Sequence, residues 1–439
     1  MEALSLIIAV LVLMFLAMPV PFALITAAVG FILVLQLSPE AGIFAAGVRI
    51  VVQRVAPSLE SFPLLAIPLF VLAGNLLNVS GIADRIFLFA RKAVGHIHGG
   101  LAHVNVFASV IFAGMSGVAQ ADAAGLGTIE IKAMRQAGFS PAFSAAVTAS
   151  SAIIGPIIPP SVIMVIYAVL SGTSIGELFL AGIIPGISLA LVLMILVYVL
   201  TLTGRVAAPP PEPMDIGGFG SSFVAALPGL LAPVILVGGL VTGVATPTEL
   251  GAIVVAYALG VGLVYREMTF ASVLEALKET VRITGAMVFI IACAAPISWL
   301  ISVLNVPQQF ASALFSITEN PIIILLIINV ILLLAGLFLE TTAVLLIGVP
   351  ALLPIAAAIG IHPTQFGVMV VFNLLIGAIT PPFGVILFIM MDIAKIRYGE
   401  MVRAMIPFYG PILFVLLAIT FVPQVTMWLP EFVAALQGN

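Results

Sequence analysis

Residues 113 to 160 read AGMSGVAQADAAGLGTIEIKAMRQAGFSPAFSAAVTASSAIIGPIIPP, and residues 335 to 382 read AGLFLETTAVLLIGVPALLPIAAAIGIHPTQFGVMVVFNLLIGAITPP. The two stretches align without a gap at an offset of 222 residues, and ten of the 48 positions are identical. Each copy predicts a glycine-marked hydrophobic hairpin followed by a long apolar helix that is interrupted at G-x-x-x-P-P. Six of the ten identities are glycine or proline, the residues that set backbone shape: Gly114/Gly336, Gly138/Gly360, Pro141/Pro363, Gly155/Gly377, Pro159/Pro381 and Pro160/Pro382.

The composition places this chain in a lipid bilayer. Hydrophobic residues make up 63% of its 439 residues and charged residues 7%, and the mean hydropathy is +1.35. These values exclude a soluble domain. The four histidines lack a metal-ligand spacing, and the single Cys293 cannot form an internal disulfide. No P-loop is present, so any driving force must come from an ion gradient or a partner. We therefore expect no enzyme, no organic cofactor and no nucleic-acid partner.

The hydrophobic pattern predicts two repeats, residues 1–203 and 223–439, joined by the Pro/Gly/Ser-rich linker 204–222. The first repeat is predicted to contain, in order, two spans within 3–37, a surface arm helix at 41–58, a span at 62–79, a hairpin at 104–131, a broken helix at 140–170 and a span at 179–203. The second is predicted to contain spans at 223–243 and 249–265, a surface arm helix at 267–283, a span at 285–304, a polar loop, a hairpin at 323–358, a broken helix at 362–392 and a span at 405–428. At the start of the 249–265 span, Thr246 and Glu249 fit a capping box.

Each repeat therefore has five crossings and one re-entrant hairpin, and an odd number of crossings requires the repeats to be inverted. With the linker in the cytoplasm and both termini in the periplasm, only Arg49 and Arg54 lie outside, in line with the positive-inside rule. The twelve residues then placed inside are Arg85, Arg91, Lys92, Lys132, Arg135, Arg205, Arg266, Lys278, Arg282, Lys395, Arg397 and Arg403. Hairpin 1, which is flanked by basic residues, would enter from the cytoplasm and hairpin 2 from the opposite face.

The helix breaks carry the predicted chemistry. A proline removes a backbone N–H and clashes with the carbonyl four residues earlier. The two proline pairs are therefore expected to free the carbonyls of Gly155 and Pro156 in the first repeat and of Gly377 and Ala378 in the second. Unpaired carbonyls are costly in hydrocarbon and must line a cavity or bind something. Interrupted helices in corresponding halves of a membrane protein point to a transporter's binding site.

A small hard cation held by backbone and hydroxyl oxygens would satisfy such carbonyls. We therefore predict two sodium sites and no other metal. Sodium site 1 comprises Ser116, Gly117, Ser150, Ser151, Gly155, Pro156 and Pro159, and sodium site 2 comprises Gly336, Thr341, Thr342, Asn373, Gly377, Ala378 and Thr380. The alternative is that the breaks are only kinks absorbed by neighbouring helices.

Two acids lie within the hairpins, and an ionisable residue at membrane depth is a functional hypothesis by default. Asp122 is expected near the tip of hairpin 1, where it either acts in binding or caps the returning helix. Glu340 in hairpin 2 has the same two interpretations. The residues predicted near the substrate are Ser116, Gln120, Asp122, Glu340 and Ser161.

At these residues the chain resembles the large membrane subunit (the M or DctM type) of tripartite ATP-independent periplasmic (TRAP) transporters, within the ion-transporter superfamily. The resemblance covers nearly the full length and rests on five stretches: FAGMSGVAQADAAGLG, ASSAIIGPIIPPSVIMVIY, TPTELGAIVVAYAL, GLFLETTAVLLIGVPALLPIA and FGVMVVFNLLIGAITPPFGVILF.

The resemblance implies an all-α protein of the bacterial inner membrane that imports organic acids with sodium. It also implies a soluble periplasmic binding protein that delivers the substrate, a small four-helix membrane subunit as a separate chain, and an elevator movement of the hairpin-bearing core. Dicarboxylates, sugar acids and compatible solutes all remain possible substrates. One rival is a self-sufficient anion:sodium symporter of the same superfamily. An intramembrane enzyme is the other, but it would need a cluster of catalytic acids or metal ligands that the sequence does not show.

Overall fold

The computed structural model describes residues 2–37 and 42–437, without the side chains of residues 2–4, 116 and 216. All regular secondary structure within these ranges is helical. The first repeat contains α1 (Glu2–Phe15), α2 (Val20–Gln36), α3 (Arg49–Ser58), α4 (Ala66–Val79), α5 (Ile82–Val94), α6 (Gly100–Ser116), α7 (Ala119–Ala124), α8 (Leu126–Gln136), α9 (Pro141–Ala152), α10 (Val162–Ser171) and α11 (Ile175–Leu202). The second contains α12 (Ile216–Thr242), α13 (Pro247–Tyr265), α14 (Phe270–Val303), α15 (Val306–Ile317), α16 (Pro321–Phe338), α17 (Thr341–Ala358), α18 (Pro363–Ala378), α19 (Val385–Ala394), α20 (Tyr398–Phe421) and α21 (Gln424–Gln437).

Eight helical segments of the described chain are long and apolar enough to cross a membrane. The broken helices lie deepest in the protein, because every residue from Phe143 to Ala152 in α9 and from Thr364 to Gly377 in α18 is buried. Around them pack the hairpin helices together with α11 and α20. On the other side, α4 packs against α13 and α14. The two breaks are thus at the centre of the helical assembly.

Both broken helices begin with the same local signals. Gly138 and Gly360, which are 222 residues apart, have φ values of +105° and +77°, a region that favours glycine. Pro141 and Pro363 then occupy the first helical turn, where a missing N–H costs nothing. Repeat symmetry at these positions follows directly from the shared glycines and prolines.

The second arm helix differs from its prediction. Residues 267–283 and the span 285–304 were expected to be separate elements, but the structure has one continuous helix, α14, of 34 residues. A lone glycine, Gly285, lowers helix stability by only about 1 kcal/mol and does not end a helix. At 1.5 Å per residue, α14 is about 50 Å long, so it extends beyond a hydrocarbon core of about 30 Å.

The first arm and the linker also have different bounds. Residue 41 lies outside the described residues, and the predicted arm helix 41–58 consists of a 3-10 turn at Gly42–Ala46 followed by α3. The predicted linker 204–222 is shorter, because α12 begins inside it at Ile216. The Asp215 side chain accepts a hydrogen bond from the Gly218 N–H at 2.9 Å and caps the helix there.

Each predicted hairpin region contains two helical arms with a sharp reversal. In hairpin 1 (104–131) the arms are α6 and a returning arm that is itself divided at Gly125 into α7 and α8, a division that was not predicted. In hairpin 2 (323–358) they are α16 and α17. Three other helices were also not predicted: α5 before hairpin 1, α15 in place of a polar loop, and α21 at the end of the last span. The capping box of Thr246 and Glu249 is confirmed.

Ion pairs connect segments that the charge pattern assigns to one membrane face. Arg85 pairs with Glu267 at 2.5 Å, and in the linker Glu212 pairs with Arg91 and Asp215 with Lys92, both at 2.7 Å. The Lys92 ammonium and the Gly218 N–H hold the pKa of Asp215 below its usual value. The linker therefore lies against α5, on the face where the positive-inside rule puts both.

Candidate ion and substrate site

Break 1 separates α9 from α10 and contains the Pro159–Pro160 pair. Ser161 caps α10, because its hydroxyl accepts a hydrogen bond from the Met164 N–H at 3.2 Å. The same hydroxyl donates to the Pro156 carbonyl. The expectation that the Pro156 carbonyl is free was therefore wrong. Within the described part of the chain, the Gly155 carbonyl accepts no hydrogen bond.

Break 2 separates α18 from α19. The Gly377 carbonyl, also expected to be free, accepts a hydrogen bond from the Thr380 N–H at 3.1 Å, so this expectation was wrong as well. The Thr380 hydroxyl donates to the Ile376 carbonyl at 2.6 Å. It is the Ala378 carbonyl that is without a donor among the described residues. Of the two carbonyls predicted to be free in each break, one thus accepts no hydrogen bond among the described residues, but the two lie at positions one residue apart in the repeat alignment.

Two tyrosines of α20 satisfy two more carbonyls of break 2. The Tyr409 hydroxyl donates to the Ile379 carbonyl at 2.8 Å, and the Tyr398 hydroxyl donates to the Pro382 carbonyl at 3.0 Å. These two carbonyls therefore do not need an ion to satisfy them.

The tip of hairpin 1 lies directly on break 1. Gly117, at φ +66°, ends α6, and a Cβ atom there would collide with the Pro160 carbonyl oxygen. The Val162 N–H approaches the Gly117 carbonyl at 3.4 Å. The Asp122 carboxylate, which is 7% exposed, occupies the space where a Cβ on Gly155 would lie. One acid of hairpin 1 is therefore in contact with the backbone of the break.

Hairpin 2 approaches break 2 most closely through backbone atoms. A Cβ on Gly377 would lie 2.6 Å from the backbone carbon and oxygen of Gly336. Glu340 caps α17, since it accepts hydrogen bonds from the Thr342 N–H at 2.9 Å, the Thr342 hydroxyl at 2.9 Å and the Ala343 N–H at 3.2 Å. Glu340 is thus a helix cap in this structure, and its place near the substrate stays a prediction.

Buried amide side chains join each hairpin to its broken helix, a feature that was not predicted. Asn105 on α6 accepts from the Ser151 hydroxyl at 2.8 Å and donates to the Thr148 hydroxyl at 2.7 Å. In the second repeat, the Asn373 amide donates to the Asn329 side-chain oxygen at 2.8 Å. Ser151 and Asn373 are 222 residues apart, so the pairing repeats. A search for polar residues on the hairpin helices could have found both partners.

The Asn373 side-chain oxygen is buried and has no hydrogen-bond partner in the described chain. Such orphaned oxygens are rare in native proteins. Together with the unpaired Ala378 carbonyl, it supplies a second oxygen that can coordinate a cation near break 2.

The remaining predicted site residues are less closely grouped. Ser150 donates to the Ala146 carbonyl at 2.8 Å and lies 3.8 Å from the Met405 sulfur, so it faces α20 rather than hairpin 1. Thr341 is buried and Gln120 is partly exposed. The Ser116 side chain lies outside the described residues. Beside Asp122, a cavity of about 30 Å³ is also lined by Asn75 and Asn78, room for a water molecule but not for an organic acid.

Paired helix breaks, each in contact with a hairpin tip, are typical of the binding site of a membrane transporter. A family model described as tripartite ATP-independent periplasmic transporter, DctM component, matches residues 7–425. The chain belongs to this family of transporter subunits, which are not enzymes, as the resemblance in its sequence implied.

Three relatives are large permeases of TRAP transporters. The sialic acid permease SiaM of Vibrio cholerae is 42% identical, over 95% of this chain and 96% of its own length. The C4-dicarboxylate permease DctM of Pseudomonas aeruginosa is 36% identical, over 92% and 93%. The 2,3-diketo-L-gulonate permease YiaN of Escherichia coli is 37% identical, over 86% and 89%. These relatives do not favour the self-sufficient symporter.

Among solved structures, the Alcanivorax borkumensis YdaH transporter aligns with a TM-score of 0.59 at 17% identity, covering 92% of this chain and 99% of that one. At this identity the likeness concerns the fold alone.

Proposed function

We propose that this chain is the large membrane subunit of a sodium-coupled TRAP importer of an organic acid, located in the bacterial inner membrane. The observation that carries the sodium part is the pair of unpaired carbonyls, Gly155 and Ala378, one in each helix break. The orphaned Asn373 oxygen supports site 2. Backbone and amide oxygens suit a hard cation such as sodium better than a transition metal.

Sodium would supply the driving force. A charge that crosses the membrane with its potential gains about 2.3 kcal/mol per 100 mV. Two sodium ions, one at each break, would therefore drive inward movement even of an anionic substrate. The substrate class is inferred from the three relatives, whose names specify sialic acid, C4-dicarboxylates and 2,3-diketo-L-gulonate, all organic acids. Sialic acid is the first compound to test.

The movement proposed is an elevator. The hairpins and broken helices would form the moving core, and the four spans within 3–37 and 223–265, which are α1, α2, α12 and α13, would serve as the frame. A frame built on so few helices is small, so a small membrane subunit would widen and anchor it. Membership of the TRAP family implies that subunit and a periplasmic binding protein as partners.

Reconstitution tests this function. The purified chain is placed in liposomes with an inward sodium gradient, alone, with the small subunit, and with both the small subunit and the binding protein. We expect uptake of the organic acid only in the complete system. Comparable uptake by the chain alone would overturn the tripartite part of the proposal and favour the self-sufficient symporter.

Cysteine labelling tests the topology that the proposal requires. Single cysteines near Arg205 and near the C-terminus should react from opposite sides of the membrane. Labelling from the same side would refute the inverted repeats.

A further inference from the structure

Hairpin 1 contains a second buried acid that the sodium sites do not use. Glu130 on α8 is 1% exposed, and its Oε1 atom is buried without a hydrogen-bond partner. No lysine, arginine or histidine forms an ion pair with it in the described chain. An ionised carboxylate without a counter-charge is expensive to bury, so this site requires a bound cation or proton.

Close packing surrounds Glu130 on both sides along α8. One turn before it, a Cβ on Gly127 would lie 2.9 Å from the Thr148 methyl group and 3.4 Å from Met390. One turn after it, the sulfur of Met134 lies 3.7 Å from the Asn105 amide. Glu130 is therefore enclosed by α6, α9 and α19.

The enclosing polar groups are already engaged. Asn105 bonds to both Ser151 and Thr148, and the Thr148 hydroxyl donates to the Ser144 carbonyl at 2.9 Å. A metal ion needs a shell of several oxygens, whereas a proton needs only the carboxylate itself. The surroundings of Glu130 thus favour a proton over sodium.

Charged groups on the neighbouring elements are few. On α7 there is Asp122, which is buried and lies eight residues before Glu130 in the same arm of hairpin 1. On α6 there is His103, which is buried with its Nε2 atom 3.0 Å from the His98 carbonyl oxygen, and on α19 there is Asp392, which is exposed and pairs with Lys395 at 2.8 Å. Helix α9 has no ionisable residue. The outer face of α8 carries Lys132 and Arg135, which line an open cavity of about 380 Å³.

We propose that Glu130 is a proton-binding site in the returning arm of hairpin 1, and that its proton opposes sodium binding at break 1 through charge. This inference rests on the proposed sodium coupling. Asp122 connects the two sites, because it contacts Gly155 at the break and lies on the same returning arm as Glu130. The arm is divided at Gly125 into α7 and α8, and a shift of α8 relative to α7 would open Glu130 to the cavity on the α8 face.

The charge of Glu130 determines whether sodium affinity rises or falls with pH. Protonated Glu130 is neutral, whereas the deprotonated form adds a negative charge near break 1 and strengthens sodium binding. Sodium affinity should therefore rise with pH. A single charge about 10 Å away, at an effective dielectric constant of about 20, changes an affinity roughly tenfold.

The test measures the half-saturating sodium concentration for uptake by the complete system in liposomes, from mildly acidic to mildly alkaline pH. We expect this concentration to fall about tenfold with rising pH in the unmodified protein. In Glu130→Gln, which keeps the shape and stays neutral, it should remain high and flat. The KM for substrate at saturating sodium should not change. The exposed acid Glu275 provides the matched control, and Glu275→Gln should keep the full pH dependence.

A pH dependence that survives in Glu130→Gln, or that is absent from the unmodified protein, would overturn the inference. If uptake is independent of sodium at every pH, the proposed function fails instead. In that case the pH dependence of the unfolding temperature tests whether Glu130 binds a proton. Glu130→Gln should flatten this pH dependence, and Glu275→Gln should leave it unchanged.

Discussion

The two helix breaks share the sequence G-x-x-x-P-P but differ in the partners of their backbone carbonyls. In break 1 a hydroxyl from the break itself, that of Ser161, satisfies Pro156, and Gly155 faces the side chain of Asp122. In break 2 the carbonyls of Ile379 and Pro382 depend on tyrosines of neighbouring chain segments, and Gly377 faces bare backbone. The carbonyl of Pro156 in the first break is thus satisfied from within the break, whereas the second break also uses hydroxyl donors from α20.

This difference shows how much the motif itself determines. The prolines interrupt the helix in both repeats, because their effect is confined to the backbone within four residues. Which of the carbonyls predicted to be free stays unpaired depends on the nearby donors, and it is Gly155 in one break and Ala378 in the other. Equivalent positions in the two copies of the sequence repeat therefore need not have equivalent roles.

The largest expected effect is a loss of stability, and it should be greater at Gly377 than at Gly155. Gly377→Ala places a Cβ 2.6 Å from the backbone of Gly336, and two packed helices must separate to admit it. We expect a loss of stability of about 3 kcal/mol, the upper part of the range for overpacking. Thermal unfolding of the purified protein in detergent measures it.

Gly155→Ala is the matched variant in repeat 1. The atom that a new Cβ would meet there belongs to the Asp122 side chain, which a substitution can remove. We expect Gly155→Ala to destabilise the protein less than Gly377→Ala, and Asp122→Ala to restore most of that loss in the double variant. Equal losses without such rescue would show that the two glycines have the same surroundings after all.

The next prediction compares local and distant capping. Ser161→Ala removes both the N-cap of α10 and the donor to Pro156, so we expect a cost of about 2 kcal/mol. Tyr409→Phe removes only the donor to Ile379 and should cost about 1 kcal/mol. The unfolding temperatures of the two variants check this order. Tyr257→Phe is the control, because it removes a tyrosine hydroxyl that donates outside the breaks.

The sodium dependence of uptake should differ between variants of Asn373 and Ser151, which occupy equivalent positions in the two broken helices. Asn373→Ala removes the orphaned side-chain oxygen, so we expect it to raise the half-saturating sodium concentration about tenfold while the KM for substrate changes less. Ser151→Ala removes a hydroxyl that already donates to Asn105, and its effect on sodium should be smaller. A sodium dependence altered equally by both substitutions would contradict the assignment of the Asn373 oxygen.

The smallest effect is expected at the linker. Glu212→Gln weakens the ion pair with Arg91, whose side chains are 36% and 47% exposed, so solvent and salt already screen it. We expect a change in stability well under 1 kcal/mol that disappears at high salt. A large, salt-independent loss would mean that the linker holds the repeats together.

Local features of this fold could be read from the sequence, and long-range ones could not. The positions of the breaks, the capping box at Thr246 and the turn at Gly138 follow from glycine, proline and capping residues that act over a few positions. The continuity of α14 was missed because a change from polar to apolar composition does not interrupt hydrogen bonding along a helix.

The candidate site shows the same limit. Gly155 and Ala378 were among the four carbonyls predicted to be free, but the sequence could not show that Ser161 and Thr380 satisfy the other two. The Asn105–Ser151 bond joins residues 46 positions apart, and its existence depends on how the helices pack. Tertiary contacts of this kind decide which oxygens remain for an ion.

The most direct test of the central claim is the sodium dependence of uptake by the complete reconstituted system. With one site at each break, the rate should rise sigmoidally with sodium concentration, with a Hill coefficient above 1, and should vanish when choline replaces sodium. An uptake rate that is unaffected by this replacement would contradict the claim that the two breaks bind the coupling ions.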